Sequence, residues 1–102
     1  RLQLMMQYIY AHYEEPVALE DIASCAAISK SSALGLFKKY LHTTPVKYLI
    51  DYRMKEAAKL LSATESSVSA IARQTGFDNT GYFCRTFKEL YGLTPTEYRR
   101  RL

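Results

Sequence analysis

The sequence predicts an all-α fold of about seven helices, and three observations support this prediction. Apolar residues recur at helical spacing along most of the chain. No stretch alternates with a period of two for long enough to predict a strand. All three prolines stand at turns or helix starts, where no intrahelical hydrogen bond is lost. With 102 residues, the chain has room for one domain or for two very small helical lobes.

Three helices are predicted in the first part of the chain. The first carries its apolar residues on one face and stops at the Glu-Glu-Pro triplet 14–16. A second short helix covers about residues 19–25. Ser29 is a good N-cap for a third helix, which we expect to run to about Leu41. The apolar face of the first helix consists of Leu2, Met5, Met6, Ile9, Tyr10 and Tyr13.

The longest helix is predicted to begin at Thr44-Pro45. Threonine accepts a hydrogen bond well at the N-cap, and proline fits the first helical position because its missing amide hydrogen is not needed there. Lys47 and Asp51 are neighbours on its solvated face at i,i+4 spacing. Its apolar stripe consists of Val46, Leu49, Ile50, Met54, Ala57, Leu60 and Leu61.

Three more helices follow the longest one. Two are predicted at about residues 68–75 and 79–91. The last begins at Thr94-Pro95, where Glu97 occupies the capping-box position.

The chain contains one motif twice. The first copy is DIASCAAISKSSALGLFKKYLHTTPVKYL, and the second is AIARQTGFDNTGYFCRTFKELYGLTPTEYR. Each copy has a short helix, a tight turn, a second helix and a Thr-Pro restart, which is the geometry of a helix-turn-helix. The sequence therefore predicts two helix-turn-helix subdomains, residues 1–44 and 64–102, joined by a linker helix over residues 45–63.

The second helix of each copy has an apolar side and a polar side. We expect the core side to consist of Ala33, Phe37 and Tyr40 in the first copy and of Phe83, Phe87 and Leu90 in the second. The opposite side has small polar residues at its start and Lys or Arg further along, so it can enter a DNA major groove. The residues expected to contact DNA are Lys30, Ser31, Ser32, Leu34, Gly35, Lys38 and Thr44 in the first copy and Asn79, Thr80, Gly81, Tyr82, Cys84, Arg85, Lys88 and Thr94 in the second.

Charge is distributed unevenly along the chain. Residues 1–27 carry one basic side chain against four acidic ones, whereas residues 28–102 carry thirteen lysines and arginines against six acidic residues. This asymmetry predicts a polyanionic partner that is reached mainly through the later elements. A basic surface that only keeps the protein soluble is the alternative.

At these residues the chain resembles the AraC/XylS family of bacterial transcription regulators. The resemblance covers essentially the whole chain, and the joint spacing of its motifs is specific. The matching motifs are Ile71-Ala72, Gly76-Phe77, Tyr82-Phe83, Arg85, Phe87-Lys88, Gly92, Thr94-Pro95 and Tyr98-Arg99, with Arg53-Met54, Ala57 and Leu60-Leu61 in the linker helix.

The resemblance implies a double-stranded DNA-binding module that is usually the C-terminal part of an activator. It also implies contact with RNA polymerase and a separate effector or dimerisation domain on an N-terminal part. The two cysteines form no CxxC spacing and no disulfide framework, which predicts a reducing, cytoplasmic setting. The opening Arg1, in place of methionine, fits a piece of a longer protein. A linker helix of about 18 residues would span about 27 Å. Two recognition helices would then lie about one duplex turn apart and read an asymmetric target, because their outward faces differ.

The first copy departs from the family pattern at its outward face. The family often has arginine where Gly35 stands and a polar residue where Leu34 stands. These departures predict either an unusual target or looser reading by the first lobe. On this face, we expect Leu34 to contact a thymine methyl group. Ala27 replaces the glycine that the second copy has at Gly76, and Gly81 stands where the family often has serine.

Several residues have a DNA role and a structural role as open alternatives. Arg85 contacts a base or phosphate, or it pairs with Glu89 at i+4. The run 99–101 touches phosphates, or it solubilises the last helix. Cys84 is a small residue tolerated beside DNA, with redox sensing as the alternative. Cys25 is expected in the core.

Other function classes fit less of the pattern. A helical protein-interaction module would use the same faces without touching DNA, and the repeated basic faces argue against it. An adaptor lobe of a DNA-repair or methyl-transfer enzyme would need a nucleophilic-cysteine domain.

No catalytic set stands at useful spacing, so we predict no enzyme activity. His12 and His42 lack further ligands at metal spacing, so we expect no metal and no cofactor. No apolar run approaches the ~18 residues of a membrane span.

Overall fold

A computed structural model describes residues 1–101 of the protein and contains seven α-helices and no strand within that range. The helices are α1 Leu2–His12, α2 Leu19–Cys25, α3 Lys30–Leu41, α4 Pro45–Ala63, α5 Val68–Gln74, α6 Thr80–Tyr91 and α7 Pro95–Arg100. The predicted all-α fold is confirmed, and the helix boundaries agree with the predicted ones to within about a residue or two.

The chain divides into two compact units, one of residues 1–52 and one that begins at Arg53. The division falls inside α4, so the first part of this helix packs with α1–α3 and the second part packs with α5–α7. Each unit therefore contains one short helix followed by one longer helix, which is the predicted helix-turn-helix order.

The first unit has an aliphatic core with a tyrosine border. Large apolar side chains of this kind stabilise a fold by about 1.5–3 kcal/mol each when fully buried. At the border, the Tyr10 and Tyr52 ring centroids lie 4.8 Å apart, and the Tyr10 and Tyr48 hydroxyls share a hydrogen bond. Burial raises the pKa of Tyr48 to about 12. The core consists of Met5, Ile9, Ile22, Ala23, Ala26, Ala33, Phe37 and Leu49.

Aromatic rings dominate the core of the second unit. The centroids of Phe77 and Phe83 lie 5.1 Å apart, and those of Phe83 and Phe87 lie 5.9 Å apart. Phe87 also stacks on Tyr91 at 4.5 Å and meets Tyr98 edge-on at 5.4 Å. Offset and edge-on pairs of this kind add about 0.5–1.5 kcal/mol each beyond the burial of their area. They fix the rotation of α6 about its own axis.

The turns of the two copies use the same backbone conformation with different residues. Gly76 and Gly92 have φ values of 95° and 76°, in the left-handed region where glycine carries no steric cost. Ala27 and His42 stand at the corresponding places of the first copy, both with φ of 56°. The first copy therefore has a side chain on a left-handed residue at two positions where the second copy has none.

Arg99 has a structural role in the second unit. Its Nε donates to the carbonyl of Leu61 at 3.1 Å, and its Nη2 donates to that of Thr64 at 3.2 Å. Leu61 lies in the last turn of α4 and Thr64 directly follows the helix, where carbonyls lack intrahelical partners. Arg99 in α7 thus caps the end of α4. This role differs from both roles predicted for the run 99–101.

Five burial predictions are wrong, and one of them concerns Tyr10 on the apolar face of α1, which is 39% exposed. Tyr40 and Leu90 are 57% and 44% exposed, because α3 and α6 make their last core contacts through Leu41 and Tyr91 instead. The further two are Val46 and Cys25, both exposed. Val46 is exposed because the first turn of α4 buries Pro45 in its place. Cys25 is the last residue of α2, and its thiol donates to the Ile22 carbonyl at 3.0 Å near the surface.

We expect Ala27→Gly to stabilise the protein by about 0.5–1 kcal/mol. Removing the Cβ relieves the steric cost of the left-handed conformation at position 27. The greater conformational entropy of glycine in the unfolded chain offsets part of this gain. Urea unfolding followed by circular dichroism measures the change. Ala11→Gly makes the same chemical change on an exposed residue of α1 and should destabilise the helix by about 1 kcal/mol. An unfolding midpoint lowered by Ala27→Gly would contradict this account of the turn.

We expect Arg99→Ala to lower the free energy of unfolding by about 1–3 kcal/mol, because two carbonyls lose their donor. Arg99→Lys should cost nearly as much, since a single ammonium cannot reproduce the guanidinium fork. Arg100→Ala is the control, because Arg100 is exposed and lies next to Arg99 in the chain. If Arg99→Lys keeps the full stability in urea unfolding, the capping role is refuted.

Candidate nucleic-acid interface

The helix α3 presents a polar, basic face over a buried apolar side. Ala33 and Phe37 are fully buried, and Phe37 meets Tyr48 edge-on at 5.6 Å. The Ser29 hydroxyl caps the helix by accepting from the Ser32 amide at 3.1 Å. The exposed residues of α3 include every predicted contact on this helix, namely Lys30, Ser31, Ser32, Leu34, Gly35 and Lys38.

The helix α6 has the same design with different side chains. Phe83 and Phe87 are fully buried, and Asn79 Oδ1 caps the helix by accepting from the Tyr82 amide at 2.8 Å. The predicted contacts that are exposed are Asn79, Gly81, Tyr82, Arg85 and Lys88. Both helices therefore present a face for a partner because the buried rings fix which side is outward.

Two predicted contacts on α6 are half-buried. The Thr80 hydroxyl lies 3.3 Å from the Ser69 hydroxyl, so it joins α6 to α5. Cys84 is half-buried beside the exposed face. The ring of Tyr82, although 42% exposed, lies 6.2 Å from that of Phe77. These three side chains border the face, and the exposed centre belongs to Gly81, Arg85 and Lys88.

The exposed cations of both helices lack carboxylate partners. Within residues 1–101, no ion pair forms at Lys30, Lys38, Arg85 or Lys88, and the considered pair of Arg85 with Glu89 is not present. The sequence of α3 contains no acidic residue at all. Unpaired cations on one face leave a positive potential that attracts phosphates.

Thr44 and Thr94 both act as N-caps. The Thr44 hydroxyl accepts from the Lys47 amide at 3.1 Å, and Thr44 is exposed. The Thr94 hydroxyl accepts from the Glu97 amide at 3.1 Å, while the Thr94 amide donates to Glu97 Oε1 at 2.9 Å. That amide hydrogen bond lowers the pKa of Glu97. Thr94 is half-buried and already has a carboxylate at its amide, so Thr44 is the more open of the two.

Two further cations, Lys39 and Arg73, lie near these faces and are not among the predicted DNA contacts. Lys39 is exposed on α3, with its ammonium 5.2 Å from the ring of Tyr40. Arg73 is exposed on α5, and its Nη1 lies 3.4 Å from the Ser69 hydroxyl, which in turn contacts Thr80. In the sequence, Arg73 could have been found from its position in α5, the helix that precedes α6 in the repeated motif.

The side chain of Arg53, a residue of α4, reaches the turn between α5 and α6. Its guanidinium carbon is 5.8 Å from the centroid of the Phe77 ring. Burial lowers the pKa of Arg53, and the charges of Asp78 and Tyr82 act in the opposite direction. The contact supports the turn that leads into α6.

The described part of the chain contains neither a metal site nor a membrane-spanning helix. No group of three or more His, Cys, Asp or Glu side chains could hold a metal ion. Among residues 1–101, no helix is long and apolar enough to cross a membrane.

Comparison with known proteins gives consistent relationships. Residues 22–101 match the family described as a helix-turn-helix domain. The uncharacterized HTH-type transcriptional regulator YdeC of Bacillus subtilis is 37% identical over 100 residues, which are 98% of this chain and 34% of that protein. The chain thus spans about a third of the length of this relative.

Solved structures agree with this match. A transcriptional regulator of Chromobacterium violaceum, one of the AraC-type DNA-binding domain-containing proteins, has a TM-score of 0.92 at 33% identity. That match covers 98% of this chain and 89% of the other. The DNA-binding domain of AdpA, a global transcriptional factor solved in complex with a target DNA, has a TM-score of 0.93 at 25% identity, covering 98% and 90%. The chain therefore belongs to the AraC-type helix-turn-helix family of transcriptional regulators and is a DNA-binding domain of that family.

Proposed function

We propose that this domain binds a specific sequence of double-stranded DNA by inserting α3 and α6 into successive major-groove segments. One observation carries the proposal: two capped helices of 12 residues each expose unpaired cations over a buried phenylalanine. A helix with an exposed basic face and small residues near its start fits the major groove. The AdpA domain, of the same fold, was solved with its target DNA and supports this use.

The two helices have different chemical roles in this proposal. Helix α3 offers Lys30, Lys38 and Lys39, which are compact charges suited to phosphates. Helix α6 offers Arg85, whose planar fork can bind guanine O6 and N7 together. The second unit therefore supplies most of the base discrimination, and the first supplies mainly charge, with Leu34 against a thymine methyl.

The wider role of the whole protein is also a proposal. The relatives are transcriptional regulators about three times as long as this chain. We propose that an effector or dimerisation domain controls this domain, and that the bound protein activates transcription in the cytoplasm through contact with RNA polymerase. The rival proposal is a protein-interaction module that uses the same faces without DNA.

We expect DNA binding to weaken steeply with salt, because each neutralised phosphate releases counterions. The slope of log K against log salt should be about −0.9 for each phosphate contact. Lys38→Ala and Lys88→Ala should each make the slope shallower by about one such contact. Lys55→Ala removes an exposed lysine of α4 and is the matched control. Electrophoretic shifts at graded salt measure all four proteins, and the absence of any salt-sensitive shift would favour the protein-interaction module.

We expect Arg85→Ala to lower affinity for the preferred duplex by about 1–3 kcal/mol if the guanine contact is bidentate. Non-specific duplexes should lose much less. Arg85→Lys keeps the charge and removes the fork, so it should lose nearly the same discrimination. Titrations on selected and scrambled duplexes measure the difference. Equal discrimination by wild type and Arg85→Lys would show that Arg85 reads charge only.

A further inference from the structure

A cluster of polar side chains joins α5 to α6 at the edge of the exposed face of α6. Arg73 Nη1 on α5 donates to the Ser69 hydroxyl at 3.4 Å, and that hydroxyl lies 3.3 Å from the Thr80 hydroxyl on α6. Ser69 and Thr80 are half-buried, whereas Arg73 is exposed. The cluster therefore combines two partly sheltered hydroxyls with a guanidinium that a partner can reach.

The cluster has more hydrogen-bond donors than it uses. An arginine has five N–H donors and no acceptor, and a hydroxyl has one hydrogen. Arg73 directs one N–H to Ser69, and the contact between the two hydroxyls needs the hydrogen of only one of them. Within residues 1–101, no other hydrogen bond uses the remaining donors. Such a set suits an anion whose oxygens accept several hydrogen bonds at once, which is the chemistry of a phosphate.

No acid neutralises Arg73 in the described part of the chain. The ion pairs found there do not include it. The only acid in the turn between α5 and α6 is Asp78, and its charge acts on Arg53. In the first copy of the motif, Ser24 stands at the place of Arg73, and α2 contains no basic residue. A cation on the first helix of the motif is therefore a feature of the second copy alone.

We propose that Arg73, with the Ser69 and Thr80 hydroxyls, binds one DNA phosphate at the edge of the groove that α6 enters. The inference rests on the proposed DNA-binding function and adds a phosphate contact from α5. In a helix-turn-helix, the first helix crosses the DNA backbone while the second lies in the groove. Helix α5 is the first helix of the second copy, and Thr80 is the first residue of α6. A DNA backbone that passes this junction meets the cluster.

A purely structural role for the cluster makes different predictions. If Arg73 only joins α5 to α6, its loss lowers the stability of the fold, and DNA binding keeps its salt dependence. If Arg73 binds a phosphate, its loss weakens binding to every sequence alike and makes the salt dependence shallower. The second role depends on the positive charge, so Arg73→Lys should retain it.

The experiment measures dissociation constants at graded salt for the whole chain of 102 residues. The proteins are wild type, Arg73→Gln, Arg73→Lys and Lys55→Gln. Arg73→Gln removes the charge but keeps a side-chain N–H donor and a comparable helix propensity. Lys55→Gln removes an exposed charge of α4 and is the matched control. Each protein is titrated on a duplex selected by wild type and on a scrambled one, and circular dichroism melting checks the fold.

We expect the slope of log K against log salt to be shallower by about 0.9 in Arg73→Gln, the value for one phosphate. Its affinity should fall by the same factor on both duplexes. Arg73→Lys should keep most of the wild-type slope, and Lys55→Gln should keep all of it. A wild-type slope in Arg73→Gln, a loss on the selected duplex alone, or an unfolded Arg73→Gln would overturn the inference. Failure of wild type to bind either duplex would instead overturn the proposed function.

Discussion

The edge-on contact between a phenylalanine of α3 or α6 and a tyrosine of the following helix organises both halves of this protein. Phe37 meets Tyr48 at 5.6 Å, and Phe87 meets Tyr98 at 5.4 Å. Both phenylalanines are fully buried, so the rotation of each helix about its axis is fixed by packing. The outward face follows from that rotation without further constraint. Its side chains are consequently free to differ between the copies.

The two copies have used this freedom in opposite ways. On α3 the exposed polar groups are hydroxyls and ammonium ions. On α6 a single arginine lies beside the glycine of its own first turn. The shared Phe–Tyr contact and the unlike surfaces fit a duplicated motif in which this contact is kept while the exposed side chains differ. The turns share one backbone conformation but differ in residue type, since Ala27 and His42 take the left-handed conformation that Gly76 and Gly92 take in the second copy.

Much of the fold could be predicted from the sequence because its signals are local. Caps at Ser29, Thr44 and Thr94 and the apolar periodicity defined the helix boundaries closely. Burial at helix ends could not be predicted in the same way, since periodicity does not show where the neighbouring helix stops. Tyr40 and Leu90 have the right spacing for the core and are nevertheless exposed. Contacts over long separations, such as the cap supplied by Arg99, leave no mark on local pattern.

The Arg99 cap also orders events in time. The Leu61 carbonyl receives its donor from a residue 38 positions further along the chain. A ribosome makes the chain from its N-terminus at about 5–20 residues per second. The last turn of α4 is therefore synthesised a few seconds before the residue that caps it. The second half of the protein can complete its packing only after Arg99 has been synthesised.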